Sequence, residues 1–219
     1  MRLNLLQQML AELYQIDVDH AVEDFVITDP ELARRLDASL HPRENREKLL
    51  VAQQGDEVQL SLYLDADVVG RLQRDCPLAA LHGDNIADFL LVLEGVSHFL
   101  YLIWNAAFDR EVTLLELEMQ AEVDKYVIAW ALFAQQRQTL GPNQLWRCLF
   151  DGPSFDVRLG DEERCRYVDA SHYAGRFCFQ LEDRYLKHNR NSEMMRELRR
   201  FYRLTQTGKI SRINAVLAS

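Results

Sequence analysis

"LLVLEGVSHFLYLIWNAAFDREVTLLELEMQAEVDKYVIAWALF", Leu90 to Phe133, is the stretch whose reading decides the fold. Most of it is as apolar as a buried core, yet Glu94, His98, Glu118, Glu122 and Lys125 sit inside it. The short segment "AAFDRE", 106–111, divides it into two long helical stretches. Two helices joined by so short a loop pack as an antiparallel hairpin. At about 100° per residue, Glu94, Ser97, His98, Tyr101 and Asn105 share one stripe of the first helix. On the second, Glu116, Gln120 and Asp124 form one polar strip, and Glu118, Glu122 and Lys125 form another. The first strip reads as the solvent face and the second as a surplus. Pairing about the loop centre sets Glu94 level with Lys125, His98 with Glu122 and Tyr101 with Glu118.

Three readings stay open for these stripes. They face solvent, as charges usually do; they form a structural polar network that fixes helix register; or they form a functional site. Within the third reading, Glu94 with His98 and Glu118 with Glu122 lie one turn apart. Carboxylates and imidazole on facing helices suit a divalent metal such as iron, manganese or zinc. Two features oppose it. The spacing is Glu-x-x-x-His and occurs once, and Lys125 would repel a cation. A metal-free acid/base pair, His98 with Glu122, fits the same spacing.

Outward from the hairpin, the N-terminal part mixes helix and strand. Residues 3–15 read as an amphipathic helix, "DFVITD" as a short strand, and Asp29-Pro30 as a helix start. "EKLLVAQQGDEVQLSLYLD" predicts a β-hairpin over 47–64 that turns at Gly55-Asp56. That turn opposes Val51 with Leu60 and Leu49 with Leu62 on one face, leaving Gln59, Ser61 and Tyr63 on the other. Asp65 caps a short helix before Pro77. Further helices are expected near 84–107, 111–138, 142–150, 161–189 and 192–205, with Ser192 as an N-cap and Gly208 as a breaker. The expected class is α+β, mainly α. A small N-terminal three-stranded sheet with helices, residues 1–75, packs on a larger helical body, 76–205, built around the antiparallel hairpin. A basic C-terminal tail, 206–219, follows.

The chain has 219 residues, 48% of them apolar and 27% charged, an ordinary globular composition. Its net charge of −9 is uneven. From Arg184 onward, nine basic residues face two acidic ones, a net of +7. The remainder carries 16 basic and 32 acidic residues, a net of −16. An acidic body with a basic end suits a protein partner or self-association, with Arg199, Arg200 and Arg203 as binding residues. The acidic field argues against nucleic acid. The long helix "RCRYVDASHYAGRFCFQLEDRYLKH" carries His172 and Arg176 on one stripe; facing the hairpin, they would complete a pocket for a carboxylate or other anion. Tyr101 and Lys125 are further binding candidates on the hairpin itself.

The first residues do not read as a signal peptide, and the uncharged run from Gly95 to Phe108 reads as too short for a membrane span. A cytoplasmic location is expected. Cys76, Cys148, Cys165 and Cys178 form no Cys-x-x-Cys pair and are expected to be reduced, buried thiols. Hydrolase, zincin and dinucleotide motifs are absent, and Trp104, Trp130 and Trp146 read as core anchors. These features favour a non-catalytic interaction or regulatory protein. The alternative is a helical metal-dependent or acid/base enzyme centred on Glu94, His98, Glu118 and Glu122, with His98 and Glu122 as the catalytic pair.

Overall fold

Short polar side chains start several of the helices. Asp29 Oδ1 accepts from the Glu31 amide at 2.9 Å and Pro30 fills the first helical position, so α2 runs Pro30–Leu36. Asp65 accepts from the Asp67 and Val68 amides at 3.0 Å each and opens α3, Ala66–Arg74. Thr113 does the same for α5, Leu114–Gln135, through the Glu116 amide. The computed structural model describes residues 1–37, 45–54, 57–137, 143–152 and 160–215. The expected Gly55-Asp56 turn and Pro142 lie outside the described residues.

The chain begins with α1, Leu3–Tyr14, whose Leu3, Leu6, Leu10 and Tyr14 are buried at helical spacing. Strand β1, Val26–Ile27, follows, and then β2, Glu47–Gln54, and β3, Glu57–Leu64, complete a sheet of order β1-β3-β2. β2 and β3 are antiparallel in the expected register, with Leu49 opposite Leu62 and Val51 opposite Leu60. β1 joins β3 in parallel. The face carrying Tyr63 is also covered: Tyr63 packs with Leu50, Ile27 and Ala33 of α2.

The mainly helical α+β class holds, with α4, Ile86–Ala106, and α5 forming the antiparallel hairpin. Next come α6, Gln144–Phe150, and α7, Asp161–Arg184, which opens on Asp161, Glu162 and Glu163 at the positive end of its dipole. α8, Asn191–Tyr202, starts one residue before Ser192, which is not its cap. Gly208 does not break the chain either. It lies inside α9, Gln206–Ala215, where Thr205 Oγ1 accepts from the Gly208 amide at 3.3 Å and restarts the helix. Lys209 and Ile213, one turn apart, anchor α9 in the core.

One apolar cluster runs from Leu3 to Ile213 and takes in Leu62 and Leu64 of the sheet. Helix α5 packs against α4, α6 and α7. By length and composition alone α4 would be long and apolar enough to cross a membrane, a test that a buried core helix also passes. Here it is a core helix that packs against α1, α5 and the sheet. All four cysteines are free, but Cys178 alone is buried; Cys148 and Cys165 are exposed, contrary to expectation. The three tryptophans are partly buried and pack against the core.

Candidate metal centre

Glu94 and His98 point from α4, and Glu118, Glu122 and Lys125 from α5, into one space. Lys125 Nζ lies 2.6 Å from Glu94 Oε2 and 2.7 Å from Glu122 Oε1, so the expected Glu94–Lys125 pair is present. The other two pairings are shifted. His98 Nε2 faces Glu118 Oε2 at 3.3 Å rather than Glu122. Tyr101 donates not to Glu118 but to Glu116. His98 meets the neighbour one turn away from the expected Glu122, whereas Tyr101 reaches the other polar strip of α5.

The strip Glu116, Gln120 and Asp124, read as the solvent face, is buried. It belongs to a second polar network. Asp124 accepts from Ser97 at 2.5 Å, from Gln120 at 2.9 Å and from Tyr14. Burial first, against those hydrogen bonds, pushes the Asp124 carboxyl up to about 6. Lys209 Nζ reaches in from α9 to donate to Gln120, with its ammonium over the rings of Phe201 and Tyr101 at 4.5 and 4.8 Å. α5 is covered on nearly every side, so both of its polar strips face protein.

Sequence reasoning missed Glu47. It opens β2, on the same strand face as Leu49, and its Oε1 lies 3.7 Å from His98 Nδ1. Strand alternation was the signal that could have found it: an acid in phase with core-facing leucines. Gly95 makes room for it. A Cβ there would stand 3.0 Å from Glu47 Cγ and Oε1 and 2.9 Å from Leu62 Cδ1. Helix and strand approach closely because position 95 has no side chain.

His98 is therefore clamped between two carboxylates, one at each ring nitrogen, with 5% of its surface exposed. Neither contact has hydrogen-bond geometry, and both Nε2 of His98 and Oε1 of Glu47 are buried without a hydrogen-bond partner. Burial alone would lower the imidazole, but Glu118 and Glu47 outweigh it and hold the ring well above its ordinary value. Burial raises the Glu47 carboxyl, against the pull of His98. Burial would also raise Glu94, yet Lys125 and His98 bring it below the ordinary carboxylate value. Lys125 is pushed up because Glu122 and Glu94 overcome its burial. Ligand atoms of Glu47, Glu94 and His98 all lie within 4.8 Å of one another, close enough to share one ion. Four carboxylates meet one ammonium and one imidazole in this space, a formal excess of negative charge even with the ring protonated. Glu47 and Glu118 are the more deeply placed of the four, and negative charge in excess there favours a cation.

The remaining candidates lie elsewhere. His172 is exposed on α7, and Arg176 is half-buried with a buried Nη2 lacking a hydrogen bond. Among the described residues, no ion pair or hydrogen bond joins either to the carboxylates. The phenol of Tyr167, also on α7, does sense the group: burial first, then Glu118, Glu94 and Glu47, pushes it up. Arg199 and Arg203 donate to the Leu13 and Gln15 carbonyls at 2.9 and 3.1 Å, tying α8 to the negative end of α1. Arg200 is exposed. No family model, curated protein or solved structure matches the chain.

Proposed function

We propose that this protein binds a divalent metal ion between β2, α4 and α5, with Glu47, Glu94 and His98 as ligands. The observation that carries the reading is His98, nine-tenths buried, with Nδ1 beside Glu47 and Nε2 facing Glu118, in a group where ligand atoms of Glu47, Glu94 and His98 lie within 4.8 Å of one another. Two carboxylates with one imidazole form an oxygen-rich donor set that suits Mn²⁺ or Fe²⁺, with Zn²⁺ a weaker match because the set holds a single imidazole. His98 offers Nδ1 beside Glu47. Glu118 stands behind Nε2, the place of the carboxylate that orients a metal-bound histidine.

The partner-capture reading has less support. It rests on the opposite charges of the body and the basic end and on the absence of a catalytic motif, and Arg199, Arg203, Lys209 and Arg212 of that end bond within the chain.

The test is metal analysis of the purified protein with Mn²⁺, Fe²⁺ and Zn²⁺ titrations followed by calorimetry. The expected result is about one equivalent bound, lost in His98→Ala and weakened about 10- to 100-fold in Glu118→Gln. Uptake below about a tenth of an equivalent with all three ions would overturn the reading.

A further inference from the structure

Given the metal reading above, we infer that Lys125 stands where a second divalent cation would otherwise bind, and that it holds the centre to a single ion.

The geometry points there in three ways. Lys125 Nζ sits almost equidistant from Glu94 Oε2 and Glu122 Oε1, at 2.6 and 2.7 Å, as a cation bridging two carboxylates would. Glu94 is shared. It belongs to the group that Glu47 and His98 complete, and its Oε2 also takes the ammonium. A carboxylate shared between neighbouring cation positions is what a two-ion centre requires. Third, the position is closer to water than the histidine: the Glu94, Glu122 and Lys125 side chains are 21%, 22% and 12% exposed, against 7% for His98, so an ion there could keep water beside two protein oxygens.

Charge accounts for the choice of a lysine. Glu47, Glu94, Glu118 and Glu122 bring four formal negative charges. One divalent ion on neutral His98 and the Lys125 ammonium cancel all but one of them. A second divalent ion in place of the ammonium would cancel them all, so the protein scaffold already supplies the charge environment for two ions. An ammonium is tethered and cannot be lost to chelators, so Lys125 fixes Glu94 and Glu122 whether or not an ion is present. The same tether excludes a second ion, because ammonium and ion cannot share a space between oxygens this close.

The experiment compares Mn²⁺ stoichiometry in the full-length wild type, Lys125→Met, Lys125→Ala and Lys125→Arg, by titration and by electron paramagnetic resonance. Wild type and Lys125→Arg should saturate at about one ion with the hyperfine pattern of isolated Mn²⁺. The methionine and alanine variants should take up about two, with the broadened spectrum of a coupled pair bridged by Glu94. A wild type that saturates at two ions overturns the inference without any variant. So does a single ion in either folded neutral variant. A wild type that binds none overturns the metal reading itself, a distinguishable failure.

Discussion

Gly95 matters because of where its missing side chain would stand. The neighbouring atoms, Leu62 Cδ1 on a buried residue and the buried Oε1 of Glu47, are close. Gly95→Ala should therefore force Leu62 and Glu47 to move, costing about 1–3 kcal/mol by urea denaturation. It should weaken metal binding as well, because Glu47 is a ligand. Unchanged stability together with unchanged affinity would show that helix and strand can separate freely.

Lys209 is the other residue whose chemistry is set by burial. Its exposure is 0%, and burial first, against the charges of Glu116 and Asp124, lowers its amine to about 7 from the ordinary 10.5. The sign is that of a depressed cation. Between pH 7 and 10.5 the unfolded chain holds the proton and the folded chain does not, so this group's contribution to stability rises with pH. Below pH 7 both forms are protonated and the full penalty is present. Lys209→Met removes the term. The stability advantage of the variant over wild type should shrink by roughly 1.4 kcal/mol per pH unit between pH 7.5 and 9.5. A difference that stays flat across that range would mean the lysine is solvated.

At the scale of elements, α5 explains why half of the angular reading was inverted. Helical periodicity separates two faces of a helix and assumes that the polar one meets water. α5 is packed by α4, α6 and α7, while Lys209 of α9 reaches its Gln120, so its polar strips face other polar groups. The Glu94–Lys125 pair was legible because hairpin geometry fixes one height. Glu47 was hidden because its place depends on how the sheet docks on α4, which no local pattern encodes. α9 was hidden by Gly208, whose local preference is outweighed by the burial of Ile213. Ile213→Ala should cost about 2–5 kcal/mol, read from the urea midpoint. A loss under half a kcal/mol would mean that α9 adds little to the core.

For the molecule as a whole, metal binding and folding are linked. The ligands come from β2 and α4, with the carboxylate behind the histidine on α5, so the site exists only when the sheet and the hairpin are docked. An ion that binds the folded chain at about a hundred times its Kd should add about 2.7 kcal/mol. For a chain of this length that is a rise in Tm of roughly 5–10 °C. His98→Ala should melt at the same temperature with and without Mn²⁺. A Mn²⁺ shift that persists in His98→Ala would place the ion elsewhere.

The sequence by itself determined the parts governed by local chemistry: the Asp29 and Asp65 helix starts, the β2–β3 register, the α4–α5 hairpin and one ion pair across it. Hydrogen-bond geometry and hydrophobic periodicity act over a few residues, so a few residues suffice to read them. Only the tertiary structure decided which polar strip is buried, that Glu47 completes the group around His98, and that the basic end docks inward. Those outcomes depend on the desolvation of charges by distant segments. Burial is a property of the packed chain and of no stretch within it.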